Sequence, residues 1–216
     1  MSAVSETSVR HPVFARWYVR FSEGMEREVG PLRAELLSGL QGRVVEVGPG
    51  NGPTFPHYPP TVTEVVAIEP EPYLRRHAEE AAARAPVPVE IRAGVAERLP
   101  LPDGEFDAAI TCGVLCTVRD QAAALAELRR VLRPGGEFRF LEHVRAPGGL
   151  KAHVQRALDV SRLWPLIGGG CHCSRDTVAA IRSAGFRVQQ VRETTVGPAW
   201  MHTNPQVIGV ARTDGG

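Results

Sequence analysis

Glu46-Val47-Gly48-Pro49-Gly50-Asn51-Gly52 follows the β-branched start of a strand, Arg43–Val47, and ends it abruptly. Glycine at such a turn lets backbone N–H groups approach a ligand where any Cβ would collide. In open α/β sheets, ligands bind beyond the carboxyl ends of the strands. A dinucleotide fingerprint, G-x-G-x-x-G, does not fit, because position 53 is Pro. A Walker A loop does not fit either, since no Gly-Lys-Ser/Thr follows. What is left is an acidic residue followed by alternating glycines, at a place where an α/β sheet binds small molecules.

Outward from this turn, short apolar runs alternate with helical stripes. Thr63–Ile68, Val87–Ile91, Phe106–Thr111 and Glu137–Leu141 read as further strands, and Phe186–Glu193 and Val207–Ala211 as the last two. Tyr73–Arg84, Gln121–Leu132, Leu150–Leu163 and Thr177–Ala184 read as helices, with Asp120 as an N-cap and Pro134-Gly135-Gly136 as a sharp stop. Upstream, Val13, Phe14, Trp17, Tyr18, Phe21, Met25 and Val29 make one helical stripe, and Leu32–Leu40 a second helix started by Pro31. Met1–Arg10 is polar and reads as loose. The alternation predicts an α/β fold: a doubly wound, mostly parallel seven-stranded sheet ending in an antiparallel C-terminal hairpin.

The 216 residues, 23.4 kDa, are 43% hydrophobic and 23% charged, which suits one compact domain. We divide residues 1–216 into an N-terminal helical lid (1–40), a cofactor-binding half (41–145) and an acceptor-side half with the hairpin (146–216). A formal charge of +1 provides no basic field for nucleic acid. The N-terminus has no signal-peptide core, and no run reaches the ~18–20 apolar residues of a membrane span. The expectation is a cytoplasmic protein, monomer or homodimer, with room for weak peripheral membrane contact through Trp164-Pro165-Leu166-Ile167.

Together Glu46–Gly52, Glu69, Asp103-Gly104-Glu105-Phe106-Asp107 and Arg130-Val131-Leu132-Arg133-Pro134-Gly135-Gly136 resemble class I S-adenosylmethionine-dependent methyltransferases. The match runs in the expected order over roughly residues 40–145, the Rossmann-like half. The last of these motifs is common in the ubiquinone and phosphatidylethanolamine methyltransferase branch. Cys112-Gly113-Val114-Leu115-Cys116-Thr117-Val118, Phe140-Leu141-Glu142-His143-Val144 and Gly170-Cys171-His172 are similar to the alkyl-thiol S-methyltransferase group; those enzymes carry an N-terminal hydrophobic anchor, and none is expected here.

The resemblance implies S-adenosyl-L-methionine as cofactor. Glu46, Gly48, Pro49, Gly50, Asn51 and Gly52 would take its methionine end, and Glu69 with Pro70 its ribose. Val95, Ala96 and Glu97 would border the adenine, although many relatives carry an acid where Val95-Ala96 stands, and Cys112 and Leu115 would line the cleft. The acceptor is expected to be a small, rather apolar molecule, most simply a thiol. The alternatives are N- or C-methylation of a lipid headgroup, quinone or secondary metabolite, or a non-catalytic binding module. His143 and His172 are the catalytic candidates, because imidazole titrates near neutrality. Trp17, Tyr18, Phe21, Cys116 and Cys171 join them as acceptor-site candidates. A zinc site of Cys171, His172 and Cys173 with Cys112 or Cys116 runs against the C-x-C spacing, which is not the usual C-x₂₋₄-C and has no second matching pair. Cysteine clusters also occur in arsenite methyltransferases, where thiols hold the arsenic; no metal is expected here.

Overall fold

A computed structural model describes residues 12–215; the Met1–Arg10 stretch lies outside them. Seven strands form a single sheet: β1 (Gly42–Val47), β2 (Val62–Ile68), β3 (Val89–Arg92), β4 (Phe106–Cys112), β5 (Leu132–His143), β6 (Arg187–Thr195) and β7 (Pro205–Arg212). Their spatial order is β3-β2-β1-β4-β5-β7-β6. The first five run parallel, whereas β7 is antiparallel to both β5 and β6. The expected sheet and C-terminal hairpin are therefore present, with β7 inserted between β5 and the edge strand.

Two-residue periodicity splits the core into two layers. Val45, Val47, Val66, Ile68 and Ala109 pack on one face against Leu125 and Leu128 of α3 (Gln121–Val131) and Ile181 of α6 (Thr177–Ser183). Their neighbours Val44, Val65, Ala67, Ala108 and Ile110 pack on the other, against Leu36 and Leu37 of α1 (Pro12–Leu37) and Ala78 of α2 (Pro72–Ala82). Both faces of the central strands are covered, which explains their continuous apolar runs.

Three local readings need correction. The two N-terminal helices are one, since α1 continues through Pro31; burial of Val29, Leu36 and Leu37 holds its second half to the sheet. The helix over 150–163 breaks at Arg162, which has φ 57°, into α4 (Gly149–Val160) and α5 (Leu163–Ile167). Pro134-Gly135-Gly136 does not keep the chain out of the sheet. Helix α3 ends at Val131 and β5 starts at once, with Leu132 opposite Phe106 and Glu137 opposite Ala108, so residues 133–136 bulge from the strand. The β1–β2 connection holds only a 3₁₀ turn, Phe55–His57. The expected N-cap of α3 is present: Asp120 accepts from the Ala123 N–H at 3.0 Å.

Candidate active site at the carboxyl rim of the sheet

The glycine turn leaves β1 with Gly48 and Gly50 at φ 67° and 61°, the left-handed region that glycine enters without steric cost. A Cβ at Gly48 would lie 2.6 Å from Val114 Cγ2, and one at Gly50 would lie 2.9 Å from Tyr18 Cε1. Gly48 N–H donates to the Ile68 carbonyl at 2.9 Å and Gly50 N–H to Glu69 Oε2 at 3.0 Å. The other Glu69 oxygen accepts from Glu71 N–H at 2.9 Å. The carboxylate is thus fixed between the ends of β1 and β2, and each oxygen keeps a second lone pair. Burial pushes Glu69 up to about 7, against the pull of the two N–H groups.

Glu46 points into the protein. Its oxygens accept from Thr54 Oγ1 at 2.5 Å and Tyr58 Oη at 2.8 Å, which ties the turn to the β1–β2 connection. Burial raises it to about 7, and these two hydroxyls oppose the shift. Helix α1 lies against the same turn. Tyr18 faces Gly50, and Ser22 Oγ donates to Asn51 Oδ1 at 3.1 Å. Burial lifts the Tyr18 phenol to about 12. Trp17 and Phe21 stack on each other with centroids 4.4 Å apart and remain exposed, so Tyr18 is the member of the expected aromatic trio that meets the turn.

Beyond β2, Pro70 is half-buried. In the loop after β3, Val95 is half-buried and Ala96 buried, while Glu97 accepts from the Arg119 and Asp120 N–H groups at 2.8 and 3.3 Å. That carboxylate links this loop to the one after β4. Leu115 is fully buried in the hydrophobic core, so its carbonyl, not its side chain, is its polar contact: Arg175 Nη1 and Gln121 Nε2 donate to it.

At the ends of β4 and β5 the structure joins three residues far apart in sequence. His143 Nδ1 lies 3.5 Å from Cys116 Sγ and 3.8 Å from Cys171 Sγ. Cys173 Sγ is 3.7 Å from Cys171 Sγ, and Trp164 packs against the three thiols. Hydrogen bonds from the Cys116 and Cys173 thiols hold the Cys171 thiol well below its ordinary value, and His143 adds to this. Burial lowers His143, but Cys171 beside it raises it on balance. His172 contributes a backbone N–H to the Cys116 carbonyl at 2.7 Å and is not part of the group.

Arg33 was not singled out from the sequence. It is 4% exposed on the inner face of α1, pairs with Glu26, and sits close enough to Glu46 and Cys112 to lower both. Its Nε has no hydrogen-bond partner. An arginine at the spacing of the buried Val29 and Leu36 was the available signal. Cys112, at the end of β4, is nevertheless raised to about 11 by burial.

Residues 45–140 match the methyltransferase domain family. The human thiol S-methyltransferase TMT1B is 32% identical over 81% of this chain and 73% of its own length, and human TMT1A is 30% identical over 92% and 85%. The chain belongs to the S-adenosylmethionine-dependent methyltransferases. A phosphatidylethanolamine N-methyltransferase of Cereibacter sphaeroides is 27% identical over 94% of this methyltransferase and 96% of its own length. In fold, it resembles an S-adenosylmethionine-dependent methyltransferase structure from Thermotoga maritima, with TM-score 0.66, 22% identity, and 94% and 99% coverage. Its cofactor is S-adenosyl-L-methionine. The rim suits that molecule: left-handed glycines keep Cβ atoms out of the turn, a carboxylate with spare lone pairs stands on the neighbouring strand, and a buried guanidinium has an unused donor. Among the described residues, no helix is long and apolar enough to cross a membrane.

Proposed function

We propose that this methyltransferase methylates the sulfur of a small, rather apolar thiol, and acts in a reducing compartment where its own four cysteines stay as thiols. The observation that carries this reading is the similarity to TMT1B and TMT1A at 30–32% identity over most of the chain. The imidazole at the acceptor rim adds support. In this reading Gly48–Gly52 and Glu69 hold the methionine and ribose ends of the cofactor, the Val95–Glu97 loop borders the adenine, and Tyr18 closes the turn from α1.

The bound cofactor supplies an activated sulfonium methyl, so the protein has to position an acceptor and exclude water. A thiol with an ordinary pKa near ~8.5 needs modest help to reach its thiolate. In this reading His143, at the end of β5 beside two thiols, assists formation of that thiolate, and Trp164, packed on the three thiols, excludes water.

The test is a labelled-methyl transfer screen over alkyl and aryl thiols, amines, phenols and quinols. Product on sulfur alone is the expected result. Product on nitrogen, the chemistry of the Cereibacter relative, would replace the thiol reading. Cofactor binding with no product on any acceptor would indicate a binding module.

A further inference from the structure

We propose that Cys116, His143 and Cys171 form a three-ligand zinc site whose fourth position receives the sulfur of the acceptor. The inference of the ion rests on geometry, and the role of the open position rests on the thiol reading above.

The three donor atoms all lie within 4.8 Å of one another. Zinc bonds of about 2.3 Å to sulfur and about 2.0–2.1 Å to nitrogen give tetrahedral edges of about 3.6 Å between S and N. The observed Cys116–His143 and Cys171–His143 separations, 3.5 and 3.8 Å, bracket that edge. One imidazole nitrogen, Nδ1, faces both sulfurs, as a shared centre requires. Two thiolates and an imidazole suit a borderline-soft d¹⁰ ion, whereas hard cations prefer oxygen.

The ligands are held before any ion arrives. His143 closes β5, paired with Gln206 of β7. The Cys116 carbonyl is fixed by the His172 N–H at 2.7 Å. Asp159 of α4 accepts from Cys173 N–H, Ser174 N–H and Ser174 Oγ, at 3.2, 2.7 and 2.5 Å, which pins the loop that carries Cys171. Cys173 touches Cys171 but does not belong to the mutually close set. Three protein ligands and one open position is the arrangement of catalytic zinc, in contrast to closed four-ligand structural sites.

Binding the acceptor is then a ligand exchange without redox change. A metal-bound water leaves, the thiol releases its proton to solvent, and a sulfur–zinc bond forms. A thiol on zinc is held as its thiolate, the reactive form. The thiolate sulfur then takes the methyl group as the methyl–sulfonium bond breaks and S-adenosylhomocysteine leaves. This removes the negative charge that bound it to zinc, and the neutral thioether departs.

The experiment uses the full chain, reduced with a phosphine and stripped with a chelator, then titrated with Co²⁺ as a spectroscopic stand-in for zinc. The expected result is uptake of one equivalent with thiolate-to-cobalt charge-transfer bands and tetrahedral visible bands, both erased by added Zn²⁺. Cys171→Ser and Cys116→Ser should lose these bands and Cys173→Ser should keep them. Adding 2-mercaptoethanol should shift the visible bands. Absence of saturable uptake by the unmodified chain overturns the proposal even if the buried Cys116 variant misfolds. So does unchanged binding by Cys171→Ser, or loss of binding in Cys173→Ser, which would mean a closed site. Full-rate thiol methylation by metal-free protein would overturn the open position as the seat of the acceptor and keep the thiol reading. Cobalt binding with a thiol-induced shift but product only on nitrogen would keep the site and remove the thiol reading.

Discussion

Gly50 donates its backbone N–H to the Glu69 carboxylate at 3.0 Å, joining the turn after β1 to the end of β2 across the sheet rim. One contact therefore sets both the shape of the glycine turn and the aim of the acid beside it. A change at either residue is expected to disturb the other.

Gly50→Val places a branched side chain where a Cβ alone already meets Tyr18 at 2.9 Å, at a φ of 61° that valine avoids. Calorimetry should show cofactor affinity reduced at least tenfold. Adding Tyr18→Ala should not restore it, because the backbone conformation remains unfavourable. Unchanged affinity in the single variant would remove the turn from the cofactor site.

Glu69→Gln keeps the shape but removes the charge that accepts from two backbone N–H groups and, in our reading, from the ribose. A loss of roughly 1–3 kcal/mol in cofactor binding is expected, the scale of a charged hydrogen bond. Equal affinity for the cofactor and its 2′-deoxyribose analogue in the unmodified protein would contradict the ribose role.

Burial lifts Glu46 from 4.5 to about 7. A raised carboxyl favours the protonated native state, so its stabilisation is complete below about pH 4.5 and is lost as pH rises through about 7. Glu46→Gln mimics the protonated form. The melting temperature of the variant relative to the unmodified protein should therefore climb between pH 5 and 8, by the equivalent of roughly 1–3 kcal/mol. A pH-independent difference would show that Glu46 does not titrate in this range.

His143→Ala should lower kcat on the acceptor while leaving the Kd of the cofactor within about twofold, a split that a purely structural residue would not produce. Parallel losses in both would place His143 in the scaffold.

The strands, the α3 cap and the glycine turn were legible because each is written in adjacent residues: β-branched runs, Asp120 before a helical stripe, and three glycines after Val47. Cys116, His143 and Cys171 were each legible as acceptor-side candidates, but their contact with one another was not. Cys116, His143 and Cys171 stand 27 and 28 residues apart and meet because β4 and β5 pair in parallel while the α5 loop folds back over their ends. Spacing rules for metal sites read local pairs such as Cys171 and Cys173, and here the local pair is not the mutually close set. The unbroken α1 escaped for a related reason. Pro31 signals a helix start locally, but tertiary burial of Val29, Leu36 and Leu37 decides the matter.

A crystal structure of the chain with S-adenosylhomocysteine tests the site as a whole. The account predicts the ribose hydroxyls within hydrogen-bond reach of Glu69, the amino-acid tail along Gly48–Gly52, and the sulfur turned toward Cys116, His143 and Cys171. A nucleoside bound away from Glu69, or with its sulfur facing away from that group, would contradict it.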